Sequence, residues 1–77
     1  RIDLTLFPNP TAESLQLEWP QDIASAEVLV YDQGGKLILS ADLERDQALS
    51  VGALSGGYYL LEFRSDRGSW NGTFVKQ

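Results

Sequence analysis

Cysteine, histidine and methionine are all absent from this 77-residue chain. Without cysteine there is no disulfide, no thiolate nucleophile and no cysteine metal cluster, so packing alone must hold the fold. The lack of histidine removes the usual general base near neutral pH and the commonest metal ligand, which excludes ordinary hydrolase triads. Cations are few: six Lys and Arg stand against eleven Asp and Glu, a formal net charge of −5. The six are scattered, and the negative balance repels nucleic-acid phosphate and anionic headgroups, so neither nucleic-acid binding nor membrane insertion is expected. No apolar run approaches the ~20 residues of a membrane-crossing helix, and no basic-then-apolar leader opens the chain. A start at Arg1 and the missing methionine point to a fragment cut from a longer precursor that carried its own targeting leader. One domain of this length buries only roughly 60% of its unfolded surface, so its core must be efficient.

What is present is apolar alternation with period two, interrupted by turn-forming clusters about every ten residues. Ile2, Leu4 and Leu6 form one face of a first strand, ended by Pro8-Asn9-Pro10 because proline donates no ladder hydrogen bond. Leu15, Leu17 and Trp19 line a second, closed by Pro20-Gln21-Asp22. A third sets Val28 and Val30 opposite Glu27, Leu29 and Tyr31 before the turn Asp32-Gln33-Gly34-Gly35; Leu29 is the residue this pattern explains least. Lys36 to Ala41 reads as a fourth strand whose run Leu37-Ile38-Leu39 leaves either face free to be inward. Leu49 and Val51 mark a short fifth, and Ala53-Leu54-Ser55-Gly56-Gly57 supplies a bend. Tyr58 to Arg64 is expected to be central, with Tyr59, Leu61 and Phe63 on one side. Ser65-Asp66-Arg67-Gly68 then turns into a last strand, Ser69 to Lys76, with Trp70 and Phe74 facing one way. About seven short strands, each with one apolar side to hide, predict an all-β fold: two antiparallel sheets closed as an immunoglobulin-like β-sandwich over residues 1–77.

Candidate chemistry is sparse. Asp42, Glu44 and Asp46 resemble oxygen ligands for calcium, but Gln47 stands where an EF-hand loop needs glycine and Ala53 where it needs a bidentate glutamate, so a solvated loop is the plainer reading and no metal is expected. Glycoside hydrolysis would need a carboxylate pair from positions such as Glu18, Glu27 and Glu62, and a small sandwich offers no deep cleft to raise one pKa. Trp19 and Trp70 are expected in the core, whereas Tyr31 and Tyr58 are expected outside, where they would suit a sugar platform. Asn71-Gly72-Thr73 fits the N-glycosylation pattern, a common chance match.

Four segments in order carry a family resemblance. Leu6-Phe7-Pro8-Asn9-Pro10-Thr11 looks like an aromatic-Pro-Asn-Pro-Thr opening, and Ala26 to Asp32 leads into Gly35-Lys36. Leu54-Ser55-Gly56-Gly57-Tyr58-Tyr59-Leu60-Leu61 is similar to a Leu, two spacers, Gly, any residue, Tyr and apolar pair. Phe74-Val75-Lys76-Gln77 resembles an apolar-Val-Lys ending. Together they resemble the type A C-terminal sorting domain of the type IX (Por) secretion system of Bacteroidetes. Gly72-Thr73 depart from it, standing where the family commonly carries basic residues.

The resemblance implies a non-enzymatic signal without cofactors, fused behind an N-terminal cargo. It also implies recognition in the Gram-negative periplasm, export through the outer membrane by the type IX machinery with its outer-membrane shuttle, and removal by a sortase-like peptidase. The cargo would end on the cell surface or be secreted. The family positions are Pro8, Asn9, Pro10, Gly35, Lys36, Gly57, Tyr59, Phe74, Val75 and Lys76. Physically, Pro8 and Pro10 stiffen a loop, Gly35 and Gly57 permit turns, and Tyr59 fills space between sheets. The last strand and its end are expected to be the part a transport component reads, as an exposed edge or end. The alternatives are a cell-surface adhesive or carbohydrate-binding module and a passive spacer.

Overall fold

The computed structural model describes residues 2–77, apart from the side chains of Ile2 and Asp3. The expectation that Ile2 faces inward therefore lies outside the described residues. Eight strand segments and no helix are present among them: β1 (Ile2–Asp3), β2 (Leu6–Phe7), β3 (Ser14–Leu17), β4 (Ser25–Tyr31), β5 (Leu37–Glu44), β6 (Leu49–Ser50), β7 (Gly57–Ser65) and β8 (Gly68–Lys76). One sheet has the order β1-β8-β7-β4-β5 and the other β2-β3-β6. This is the expected all-β sandwich of two sheets, antiparallel apart from the parallel pairing of the opening segment with β8, and that opening segment is shared between layers.

That sharing corrects the reading of one continuous first strand. Ile2 and Asp3 pair in parallel with Trp70 and Asn71, whereas Leu6 and Phe7 pair antiparallel with Leu17 and Gln16 in the other sheet. The chain crosses layers at Leu4-Thr5, where the Leu4 amide donates to Asn71 O at 2.7 Å and Thr5 O accepts from the Glu18 amide at 2.9 Å. Alternation alone does not reveal the change of partner, because Leu4 and Leu6 are buried on the same core either way.

Inside, the period-two pattern closes the layers. Val28 and Val30 of β4, Tyr59, Leu61 and Phe63 of β7, and Phe74 of β8 meet Leu6, Leu15, Leu17 and Leu49 from the small sheet. β7 occupies the middle of its sheet, as its length and apolar content predict. Phe63 is fully buried and takes Trp19 edge-on from one side, with centroids 5.0 Å apart, and Trp70 edge-on from the other, at 5.6 Å. Such edge-to-face pairs set the positive ring edge against the negative face. Trp19 is thus a core residue, and Trp70 packs half-buried against the same cluster.

β5 resolves its own ambiguity through pairing. Leu39, Ala41 and Leu43 turn toward the core, and the register shifts between Val30 and Tyr31, so that Leu39 faces Val30 while Leu37 faces Tyr31. Ile38 is the extra residue, and it stays exposed with Leu37. The strand also runs past Ala41 to Glu44, which corrects the reading of Asp42 and Glu44 as loop residues. They stand in the ladder opposite Glu27 and Ser25, with buried Leu43 between them. Leu29 is buried on the outward side of β4, flanked by Ser40 and Glu62, in a row the core pattern does not account for.

Gly72 is where the opening segment and β8 come closest. A Cβ there would lie 2.8 Å from the Leu4 carbonyl oxygen and 3.0 Å from a Leu6 methyl. The departure at this position thus has a steric reason. Replacing Gly72 by Ala, or by the lysine the family resemblance would suggest, should lower stability by about 1–3 kcal/mol through overpacking. Phe63→Ala should cost about 3–5 kcal/mol by leaving a cavity. Urea unfolding of each variant measures both, and an unchanged midpoint for Gly72→Lys would contradict the close approach.

Candidate functional site

Antiparallel pairing gathers distant parts of the chain at one end of the sandwich. β7 begins where β8 ends, so Gly57 pairs with Lys76, Tyr58 with Val75 and Tyr59 with Phe74. The rings of Tyr59 and Phe74 stack inside the core at 5.4 Å, and the buried Tyr59 hydroxyl donates to Ser55 O at 2.6 Å. The phenol thus fills apolar space while its one polar atom is satisfied. Gly57 holds φ +156°, a conformation that L side chains rarely adopt.

The Pro8-Asn9-Pro10-Thr11 loop rejoins this corner after its excursion into the small sheet. Both X-Pro peptides, Phe7-Pro8 and Asn9-Pro10, are cis. Asn9 presents its side-chain amide to the free edge of β8: Oδ1 accepts from the Val75 amide at 2.8 Å, and Nδ2 donates to Thr73 O at 3.3 Å. A carboxamide carries one donor and one acceptor in the arrangement of a peptide unit, so it replaces a neighbouring strand for one ladder step. Thr11 continues the ladder with its own backbone, donating to Val75 O at 2.9 Å and accepting from the Gln77 amide at 2.8 Å. Its hydroxyl donates to Ser14 O, which satisfies a residue only 1% exposed.

The last strand is therefore not an open edge. β1, Leu4, Asn9 and Thr11 occupy the side of β8 away from β7. This corrects the expectation that a partner meets an unpaired terminal strand. Phe74 and Lys76 point inward and are buried, Lys76 with its Nζ donating to Gln77 O at 3.2 Å, whereas Val75 points out. Thr11 is the residue to which sequence reasoning gave no role. Its place after Pro10 hid the fact that its amide and carbonyl both pair with the end of β8.

Gly35 and Lys36 lie across the outward face from this corner and make no hydrogen bond to the tail. Their turn is built by Asp32, whose Oδ1 accepts from the Gly34 and Lys36 amides at 2.9 and 3.0 Å while its carbonyl accepts from the Gly35 amide. At Gly35 a Cβ would meet nothing within 4 Å; what the position demands is φ +87°. The turn borders an open depression lined by Tyr31, Tyr58, Leu60 and Thr73. Tyr58 is exposed as expected, but Tyr31 is half-buried, with its hydroxyl donating to Glu62 at 3.3 Å.

Elsewhere the candidate chemistry stays dispersed. Glu18 and Glu27 are exposed, and Glu62 is engaged by Tyr31 and by Arg64 at 3.2 Å. The hydrogen bond and charge of Glu62 hold the Arg64 guanidinium more firmly protonated than usual. Among the described residues, no group of three carboxylate, histidine or cysteine side chains is placed to share a metal ion. Asn71-Gly72-Thr73 lies within β8 rather than in a loop.

The Asn9 contact makes a direct prediction. Asn9→Ala removes two hydrogen bonds and leaves the Val75 amide without its partner, which should cost about 1–2 kcal/mol. Amide exchange at Val75 should accelerate while exchange at Leu61 in mid-β7 follows global unfolding. Unchanged protection of Val75 would show that the side chain does not close the edge.

Searching curated proteins finds no match to the chain. A family model described as the secretion system C-terminal sorting domain matches residues 5–77, a span that takes in the proline loop, the glycine-tyrosine bend and the terminal strand. The chain belongs to that family, the C-terminal sorting domains of type IX secretion.

Proposed function

We propose that this domain is the address of a larger exported protein, fused behind a cargo and read in the periplasm by the type IX machinery. Family membership establishes a sorting signal whose destination is the cell surface or the medium, in a family that is not catalytic. The finer reading is that an outer-membrane shuttle receives the folded domain and that a sortase-like peptidase then cuts upstream of it. The cargo is thereby released or joined to surface lipopolysaccharide. Residues 1–77 act as one unit in this reading, and Pro8, Asn9, Pro10, Gly35, Lys36, Gly57, Tyr59, Phe74, Val75 and Lys76 are the positions that give it its form.

The observation that supports this most is the convergence at one corner of three segments far apart in the chain: the proline loop, the Gly57–Tyr59 bend and the terminal strand. None of them surrounds an enclosed reactive group, and the terminal strand is held by both of the others. A signal needs that property: a shape that exists only when the whole domain has folded. Carbohydrate binding has no comparable support, since Tyr31 is tied to Glu62 and partly covered.

Deleting Phe74 to Gln77 from a cargo fusion should leave the cargo inside cells that carry the type IX machinery, scored by cell fractionation. Normal export of the truncated fusion would overturn the address reading. Mass spectrometry of exported cargo should find this domain missing, and cargo that still carries it would remove the peptidase step.

A further inference from the structure

The outward face of the five-stranded sheet changes character along its length, and the ladder register fixes how. One end carries Glu27 opposite Asp42 on one side and Arg64 on the other, with Glu62 a row above and Glu44 beyond. At the other end Tyr31 sits between Leu37 and Leu60, and the next row pairs Tyr58 with Val75. Leu37, Tyr58, Leu60 and Val75 are 48%, 49%, 40% and 37% exposed. Cross-strand partners share a face, so these side chains form one continuous apolar area, unlike the scattered exposed residues of an ordinary surface. Phe7, on the small sheet, is just as exposed but stands apart from them.

The occupant follows from charge and from the closed edge. Strand addition at β8 is blocked by Asn9 and Thr11, so a partner approaching this corner meets the face. Next to the apolar rows, that face carries Glu27, Asp42, Glu44 and Glu62 against Arg64, with Lys36 in the turn beside Leu37. Anionic lipid and nucleic acid are repelled, and a second copy, with six cations to eleven anions, has few charges to answer these. We propose that this graded face is the docking surface for a protein of the export machinery, whose complementary site is an apolar floor flanked by lysine or arginine. The proposal rests on the address reading and names the surface on which that address is read.

The test uses the cargo fusion in cells that carry the type IX machinery. Tyr58→Ser with Leu60→Ser should lower export about tenfold or more, the loss expected when central apolar anchors are removed. Glu27→Lys with Asp42→Lys should lower it several-fold, and Gln16→Ser, at an exposed position of the small sheet outside the motifs, should leave it unchanged. Thermal melting of the purified domain confirms that each variant is folded, and the milder Tyr58→Gln replaces the double variant if that one does not fold. Folded patch variants that export normally would overturn the docking face while leaving the address reading intact, because the Phe74–Gln77 truncation would still block export. Equal loss from Gln16→Ser would also overturn it. So would a parent dimer in sedimentation that the patch variant turns into monomer, which would make a second copy the occupant. Glycan-array binding lost in the same variant with export intact would overturn it as well.

Discussion

The inward row of β7 is the constraint on which the rest of the structure depends. Tyr59, Leu61 and Phe63 lie at the middle of the larger sheet and form the floor on which both tryptophans, Phe74 and the leucines of the small sheet close. A chain this short has little surface to bury and no cysteine to crosslink, so each large buried side chain carries an unusual share of the stability, about 1.5–3 kcal/mol apiece. The edge-on contact of Trp19 with Phe63 ties the segment after β3 to the larger sheet, while the Phe63–Trp70 and Tyr59–Phe74 contacts join β7 to β8 within it.

Closing the layers creates a second problem at the margin of the large sheet. β8 would be an outer strand with unpaired amides and carbonyls, the template on which chains aggregate. The fold covers it with its own opening segment. β1 pairs with the first part, the Leu4 amide takes Asn71 O, the Asn9 side chain takes the step that backbone cannot reach, and Thr11 takes the last. The opening segment and the last strand are thereby locked together.

Edge and face thus have different tasks. The edge is sealed by polar contacts, and the outward face is left with apolar rows beside acidic ones. Lys76 shows why position in the chain is a poor guide to accessibility: it is the penultimate residue and a cation, yet strand alternation directs it inward, where it is 8% exposed, while neighbouring Val75 faces solvent.

Most of the architecture was legible without coordinates, because it depends on side-chain alternation, a local property. Val28 with Val30, Tyr59 with Leu61 and Phe63, and Trp70 with Phe74 fall on the faces that period two assigns, and β7 is central. Cysteine and histidine content excluded whole classes of chemistry, and four motifs in order indicated the family. Other features needed the tertiary structure, because they depend on which strand a segment pairs with. Leu4 and Leu6 read as one strand yet serve two sheets, Leu37-Ile38-Leu39 took its direction from a register shift opposite Val30 and Tyr31, and Asp42 and Glu44 were drawn into a strand by β4. Asn9 could be seen in the sequence as a turn residue, and Thr11 only as the end of a motif. Only the fold, by setting them beside a strand more than sixty positions away, made them its ladder partners.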